Sequence, residues 1–207
     1  AVHPIALATG DLTLRAAMGT GFRAPSLYEI AYNSGPFAYA PALATDLAQE
    51  TTGGWEIAAR FEQASHSSEI IYFDQWIDDE IYFDLAGYSG YLQRAGKARA
   101  TGIELVSEVA LGARFKLIAN GAWTETETQS GEQRPYRPTW LLRVGLQWQN
   151  EQAQVALTSR SAADTVDINN TPADDYSVVD LSATYQLGAH VLLNTRFENL
   201  FDSDYQQ

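Results

Sequence analysis

Apolar and polar residues alternate with a period of two in one segment of this chain after another. The clearest run has apolar residues at positions 140, 142, 144, 146 and 148, interleaved with Arg143, Gly145, Gln147 and Gln149. Successive side chains of a β-strand point to opposite faces, so this pattern predicts a strand with one apolar and one polar face. Similar alternation starts at Leu12, Trp55, Ile103, Phe115, Ala153, Val179 and Val191.

Two further segments complete the predicted set of strands. Residues 1–8 read as an incomplete first strand, and residues 69–82 are apolar on both faces in part, so their sides cannot be assigned from the pattern. The sequence therefore predicts an all-β fold of about ten strands. It contains no uninterrupted apolar stretch of the length of a transmembrane helix, and its N-terminus lacks the pattern of a signal peptide.

The connections between the predicted strands alternate between short and long. Short connections lie at 9–11, 64–66, 111–112, 150–151 and 187–189. Long ones lie roughly at 23–49, 84–90, 127–136 and 161–175, and a fifth begins at Phe201. Short turns on one rim and long loops on the other are typical of an up-and-down antiparallel meander with two unlike ends.

The direction in which the apolar face points separates two classes of barrel. A soluble barrel would bury Trp140, Leu142, Val144, Leu146 and Trp148 in an internal core, whereas an outer-membrane barrel turns them to lipid. The predicted strands, about 9 to 12 residues long, suit a tilted transmembrane strand. Aromatic residues are ordinary strand formers that also pack cores, but several here fall near strand ends, as membrane-interface girdles do: Trp55, Tyr72, Tyr82, Trp123, Trp140, Trp148 and Tyr185.

The placement of charge favours the membrane interpretation. The net charge is -13, and 16 of the 26 acidic residues fall in or beside the long connections. With no cluster of basic residues, the chain lacks the surface that binds nucleic acid. A lipid-facing Arg or Lys at mid-bilayer costs about 2 to 4 kcal/mol, so the polar strand face must meet water or protein. Seven of the 13 basic residues lie on that face: Arg15, Arg60, Arg114, Lys116, Arg143, Arg160 and Arg196.

Three short motifs resemble a known family. Residues 19–29 read GTGFRAPSLYE, residues 100–104 read ATGIE, and residues 197–205 read FENLFDSDY. These are similar to the GxGFRAPSLxE segment, the TxGxE strand and the NLFDxxY motif of TonB-dependent outer-membrane receptors. They occur in the family's order and span nearly the whole chain.

The resemblance implies a barrel of about 22 strands with a plug domain in its lumen. Such a receptor imports a scarce nutrient, either an iron-siderophore or a cobalamin-type corrinoid, with energy relayed by TonB. Residues 1–207 would be the C-terminal part of the barrel, without the plug, the TonB box or the final strand. The implied partners are outer-membrane lipid, the receptor's own plug, the TonB complex and the chelate, and the long loops would face the cell exterior.

The first long connection holds the candidate ligand-binding residues. It carries Tyr28, Tyr32, Phe37 and Tyr39 among Pro, Gly and Ala. Aromatic side chains in an external loop can stack against a large planar or ringed ligand. The competing interpretation is that these rings pack the loop onto itself or onto the upper barrel wall.

Other chemistry has weaker support in the sequence. Asp78, Asp79 and Glu80 are candidate calcium ligands, although their spacing is not that of an EF-hand and a solvated acidic rim explains them as well. The chain has no cysteine and no GxSxG, P-loop or dinucleotide-binding motif, so we expect neither an enzyme nor a cofactor. A barrel hydrolase would need a Ser/His constellation, for which His190 is too isolated. The remaining alternative is a passive porin-like or adhesin barrel.

Overall fold

A single antiparallel sheet makes up most of the computed structural model, which describes residues 4–204. A short helix α1, Leu27–Asn33, and a 3₁₀ turn at Ala42–Ala44 lie between the second and third strands. The strands are β1 Ile5–Leu7, β2 Gly10–Arg23, β3 Glu50–Gln63, β4 His66–Phe83, β5 Tyr91–Leu111, β6 Phe115–Glu127, β7 Trp140–Gln149, β8 Ala153–Ala163, β9 Thr165–Val166, β10 Pro172–Ala173, β11 Tyr176–Leu187 and β12 Val191–Phe197.

Each strand of the main sheet pairs with the next one along the chain. The order is β1-β2-β3-β4-β5-β6-β7-β8-β11-β12, ten strands in all, while β9 and β10 form a separate hairpin. The predicted up-and-down meander of about ten strands is therefore confirmed. Within residues 4–204 no helix has the length and apolar character needed to span a bilayer.

Three local features differ from the sequence-based prediction. The helix α1 and the β9–β10 hairpin lie inside long connections for which the sequence pattern predicts no helix or strand. The strands β4 and β5 run for 18 and 21 residues, longer than the expected 9 to 12 or so. Their extra length forms a hairpin that rises beyond the rest of the sheet on the side of the long loops.

The register places the large apolar residues on one face of the sheet. Leu142 pairs with Gly121, which pairs with Leu105, and this row continues through Ile70 and Ala59. The side chains on this face are exposed, since no other described part of the chain covers them. An uncovered apolar face on a sheet with a polar opposite face is the pattern of a lipid-facing barrel wall.

Aromatic residues mark two ends of the apolar face. The ring centroids of Trp55 and Tyr72 on β3 and β4 lie 5.4 Å apart, and those of Trp123 and Trp140 on β6 and β7 lie 6.3 Å apart. Trp148 lies eight residues further along β7 from Trp140, roughly 26 Å at about 3.3 Å per residue. With a strand tilt of about 35–45°, this length covers about 20 Å of a membrane-spanning band about 25 Å tall. Tyr82 does not belong to either group, because it lies ten residues beyond Tyr72 in the raised hairpin.

The opposite face carries ion pairs. Arg15 bridges Glu56 and Glu69, with nitrogen–oxygen distances of 3.2 and 2.9 Å. Arg160 and Arg196 both approach Asp180, at 3.0 and 3.9 Å. Arg15, Arg160 and Arg196, which alternation assigned to the polar face, therefore have acidic partners there, as expected of a wall that lines an aqueous lumen.

The central part of β4 shows why its sides could not be read from the sequence. Phe73 lies on the charged face with Ile71, while Asp74 lies on the apolar face near the loop end. A Cβ on Gly102 would meet the Phe73 ring at 2.8 Å and the Trp123 carbonyl oxygen at 2.4 Å. The glycine of the TxGxE-like segment thus makes room for the Phe73 ring of the neighbouring strand.

The last motif closes a turn after β12. The Asn199 side chain accepts a hydrogen bond from the Ser203 amide and donates one to its carbonyl oxygen, both 2.9 Å. Asn199 itself has a φ of 51°, a conformation that asparagine tolerates better than most residues. Tyr205, the final residue of the motif, lies outside the described residues.

We expect Gly102→Ala to destabilise the barrel, because the new Cβ would clash with backbone and with the Phe73 ring. Overpacking of this kind costs about 1 to 3 kcal/mol. The measurement is the urea midpoint of the full-length receptor in detergent, followed by its heat-modifiable migration on gels. Gly121→Ala is the control, because its nearest neighbour would be 3.9 Å from the new Cβ; equal midpoints for the two variants would contradict the account.

Leu141 and Leu142 offer a matched test of the two faces. They are 47% and 52% exposed on the same strand but lie on opposite faces. Leu142→Arg should cost about 2 to 4 kcal/mol in lipid because it places a cation in hydrocarbon. Leu141→Arg should be tolerated, since it faces the row that contains Glu104. The folding yield in lipid vesicles is measured for both variants. A lower yield for Leu141→Arg than for Leu142→Arg would reverse our assignment of the faces.

Candidate functional site

The first long loop (residues 24–49) begins with a helix whose start is specified by its sequence. Ser26 is the N-cap of α1, and its hydroxyl accepts a hydrogen bond from the Glu29 amide at 3.2 Å. The Glu29 carboxylate in turn accepts one from the Ser26 amide at 2.6 Å. This reciprocal capping box satisfies two amides that a helix start leaves free. It explains the Ser and Glu of the PSLYE segment.

Arg23 connects this helix to the barrel wall. Its guanidinium donates to Glu29 at 2.9 Å and to Glu50 at 2.5 Å. Glu50 is only 4% exposed, and its second carboxylate oxygen accepts a hydrogen bond from the Ile81 amide. Arg23, Glu29 and Glu50, hereafter the Arg23 anchor, thus join β2, α1, β3 and β4. Buried carboxylates of this kind are stable only with such partners.

The anchor keeps Glu29 ionised. Burial of the carboxyl group opposes ionisation, but the Ser26 amide and the Arg23 guanidinium outweigh it and hold the pKa of Glu29 below its ordinary value of 4.5. The contribution of this group to stability is therefore fully present above the ordinary pKa and is lost as the pH falls through the lower folded-state value.

The second long loop (residues 84–90) is fixed against the first. The Asn33 side-chain amide exchanges two 2.8 Å hydrogen bonds with the backbone of Tyr91, as a neighbouring strand would. The Tyr39 hydroxyl donates to the Gly87 carbonyl oxygen. Asp84 accepts bonds from the Gly87 amide and the Ser89 hydroxyl, and these hold the pKa of Asp84 below its usual range. The two loops therefore form one folded unit.

An aromatic cluster lies where these loops meet. Tyr32 contacts Tyr28, Phe83 and Tyr91, with centroid distances of 6.1, 5.7 and 5.8 Å. Tyr28 also lies 6.1 Å from Tyr91, edge to face. Tyr28 is 66% exposed, whereas Tyr32 is half-buried beneath it. We call Tyr28, Tyr32, Phe83 and Tyr91 the aromatic platform, which presents one exposed ring on a packed base.

The structure brings together two of the four predicted ligand-binding residues. Tyr28 and Tyr32 belong to the platform, but Phe37 and Tyr39 have no ring contact within residues 4–204. The Tyr32 ring packs against Phe83 and Tyr91, and the Tyr39 hydroxyl holds the second loop. Ligand binding by these four residues stays a prediction. The sequence analysis missed Phe83 and Tyr91. They flank the predicted connection 84–90, so treating that connection as a hairpin loop would have placed them opposite each other.

The three candidate calcium ligands have other environments. Asp78 lies 3.6 Å from Lys97, and Glu80 is paired with Arg134. Asp79 lies at a bulge with a φ of 56°. Across residues 4–204, no group of three or more acidic or histidine side chains is arranged to hold a metal ion. Glu80 instead joins the raised hairpin to the third long loop (residues 128–139).

Comparison with protein families identifies the architecture. The sequence model described as "TonB dependent receptor-like, beta-barrel" matches residues 6–200. The chain belongs to the TonB-dependent receptor family. The family consists of outer-membrane receptors that take up nutrients, and the GTGFRAPSLYE segment that resembled it contains both the capping box and Arg23 of the anchor.

Solved structures of this receptor fold superpose on nearly the whole chain. The copper transporter OprC is 20% identical with a TM-score of 0.78, and the alignment covers 98% of this chain and 33% of OprC. The siderophore receptor PirA from Pseudomonas aeruginosa is 20% identical, with a TM-score of 0.71 and coverages of 97% and 38%. The ferripyoverdine receptor of the same organism is 15% identical, with a TM-score of 0.69 and coverages of 93% and 27%. The chain thus spans about a third of the length of these receptors.

Neutralising Glu29 should loosen the first loop without unfolding the barrel. Glu29→Gln keeps the shape but removes the charge that holds Arg23, so amides of residues 26–33 should lose exchange protection at neutral pH. The wild-type receptor should lose the same protection only when the pH falls below the ordinary carboxyl pKa. Hydrogen exchange with mass spectrometry, expressed as protection factors, measures both. Unchanged protection in Glu29→Gln would show that the anchor does not hold the loop.

Proposed function

We propose that this chain forms part of the wall and external loops of an outer-membrane active transporter that takes up an iron-siderophore with energy relayed by TonB. The observation that carries the proposal is the aromatic platform, held rigidly at the long-loop end by the Arg23 anchor. The rest of the receptor would supply the plug domain in the lumen and the segment that contacts TonB. The apolar sheet face would contact outer-membrane lipid, with the long loops outside the cell.

The geometry of the platform suits a large ligand with flat groups. Tyr28 is exposed and its ring is supported from below by two others, so a ligand meets a surface already ordered. Preformed surfaces bind more tightly because less conformational entropy is lost on binding. Offset or edge-on contact between aromatic rings contributes about 0.5 to 1.5 kcal/mol beyond burial. Arene-bearing chelators match this surface.

The composition of the loops argues against direct coordination of a bare soft metal by this segment. Copper in its reduced form favours Cys and Met ligands, and the chain has no Cys and one Met. That residue, Met18, lies in strand β2, while His66 and His190 lie at the short-turn end. His3 lies outside the described residues. Contact through rings and hydrogen bonds favours a chelated metal, and a cobalamin-type corrinoid remains the competing ligand in the test.

Removing the exposed ring should weaken chelate binding. We expect Tyr28→Ala to reduce the affinity of the full-length receptor for an arene-bearing ferric chelate by about 3- to 10-fold, the equivalent of one aromatic contact. Quenching of intrinsic fluorescence on titration with the chelate measures it. Phe37→Ala is the matched control, because Phe37 is 75% exposed in the same loop but outside the platform.

Transport separates the proposal from its rivals. Cells that carry the full receptor should accumulate radioactive iron from the chelate only when TonB is present. Uptake that continues without TonB would indicate a passive porin-like barrel, and cell attachment without uptake would indicate an adhesin. Uptake of a corrinoid in place of the ferric chelate would overturn the proposed ligand but leave the transport mechanism in place.

A further inference from the structure

The raised hairpin of β4 and β5 has two sides, and the aromatic platform lies on only one of them. The first loop packs against the side that carries Phe83 and Tyr91. The third loop and the fourth long loop (residues 164–175) adjoin the other side, where they enclose a cleft of about 470 Å³. Arg94 from β5 forms one wall, and residues 128–135 and 167–170 form the others.

The walls of this cleft are held together by hydrogen bonds to backbone carbonyl groups. The Tyr136 amide donates to the Val166 carbonyl oxygen at 2.8 Å, and the Gln133 side chain donates to the Asp164 carbonyl oxygen at 2.9 Å. Within the third loop, the Thr128 amide donates to the Glu132 carbonyl oxygen at 2.7 Å. The cleft is therefore preformed and does not depend on a ligand to assemble it.

The cleft is lined by both hydrogen-bond donors and hydrogen-bond acceptors. Arg94 can only donate, and its guanidinium is stacked 4.3 Å above the Tyr82 ring, with no ion-pair partner within residues 4–204. The hydroxyl groups of Thr128 and Ser130 lie 2.9 Å apart, and each also bonds Glu132, so they are satisfied within the third loop. Asp167 accepts from the amides of Asn169 and Thr171, both at 2.8 Å, so its charge is directed largely at its own loop.

One buried acceptor in the cleft wall has no partner. The Gln129 side-chain nitrogen donates to Glu80 at 3.3 Å, and because a carboxylate only accepts, this contact fixes which way the amide points. Its oxygen is then left buried without a hydrogen bond among the described residues. An unpaired buried acceptor is costly and needs an explanation, and a hydroxyl donor that reached this oxygen from the cleft would supply the missing bond.

The balance of charge identifies the kind of ligand. One Arg with the carboxylates of Glu132 and Asp167 gives the lining a formal charge of -1, which disfavours an anion. Asp167 is occupied by two amides of its own loop, and no group of acidic side chains among the described residues is arranged to hold a cation. Groups that only donate lie beside groups that only accept. Vicinal hydroxyl groups do both, and Pro135 and Ile168 offer apolar surface for the C–H face of a ring.

We propose that this cleft binds an uncharged, hydroxyl-rich sugar, separately from the chelate that the aromatic platform would hold. The two sites lie on opposite sides of the raised hairpin, so occupation of one leaves the other accessible. The sugar could be free in solution or part of a glycan on the cell surface, and the chemistry that recognises it is the same.

The test uses the full-length receptor in detergent on an array that presents neutral hexose oligosaccharides, oligosaccharides rich in glucuronate, and oligosaccharides rich in glucosamine. Neutral glycans should be retained and the two charged classes should not. Arg94→Gln should weaken retention roughly tenfold, the equivalent of one charge-assisted hydrogen bond. Arg137→Gln is the matched control. Arg137 is exposed in the third long loop, which forms one wall of the cleft, but Arg137 itself does not line the cleft.

The source of the sugar is resolved by competition. Free neutral oligosaccharide and the same glycan displayed on lipid vesicles should both displace the array signal, and the better competitor identifies the source. Retention of charged glycans alone, no retention at all, or equal loss in both Arg variants would overturn the proposal. None of these results involves the ferric chelate, so they leave the function proposed for the platform untouched.

Discussion

A sheet face covered with large apolar side chains, with nothing from the described chain lying on it, must be covered by something else. Each residue of the row from Leu14 to Leu142 is paired laterally through the strand register, so no strand can turn its apolar side away alone. Lipid can cover such a face where the backbone is hydrogen-bonded within the sheet, as it is for the strands that lie between β1 and β12. The ion pairs on the opposite face follow, because charge is stable only where water or protein meets it.

The arrangement of the long loops depends on that wall. The Arg23 anchor joins the first loop to three strands, Asn33 joins it to Tyr91, and Glu80 joins the hairpin to the third loop. Loops of this length lose much conformational entropy when they become ordered. Two buried carboxylates, each held by a guanidinium and a backbone amide, offset part of that loss. An ordered aromatic surface at the long-loop end of the sheet is the result.

Much of the barrel wall could be predicted from the sequence because the period of two is imposed on every strand by the pleat. The exception is β4, whose two faces cannot be assigned from the sequence. Phe73 packs onto Gly102 there, and no local pattern reveals this interaction with a neighbouring strand. Helix α1 has only seven residues, too few for a helical period, although its Ser and Glu capping residues were visible. The ion pairs of Arg23 cannot be predicted from a local pattern, because its two partners lie 6 and 27 residues away.

The candidate site was harder to predict than the wall for the same physical reason. Tyr28 and Tyr32 could be singled out as loop aromatics, but which ring is exposed depends on Phe83 and Tyr91, which the register of a distant hairpin brings beneath them. Composition also could not separate Tyr39, whose hydroxyl fixes the second loop, from a ligand-binding residue.

The central claim, that one face of this sheet contacts lipid and the other does not, is tested most directly by spin labels along β7. This segment has no cysteine, so a label can be placed by cysteine substitution at each position from Leu141 to Leu146 in the full receptor reconstituted in lipid. We predict that collisions with oxygen peak at 142, 144 and 146, while collisions with a water-soluble nickel chelate peak at 141, 143 and 145. The opposite phase, or no alternation, would contradict the account.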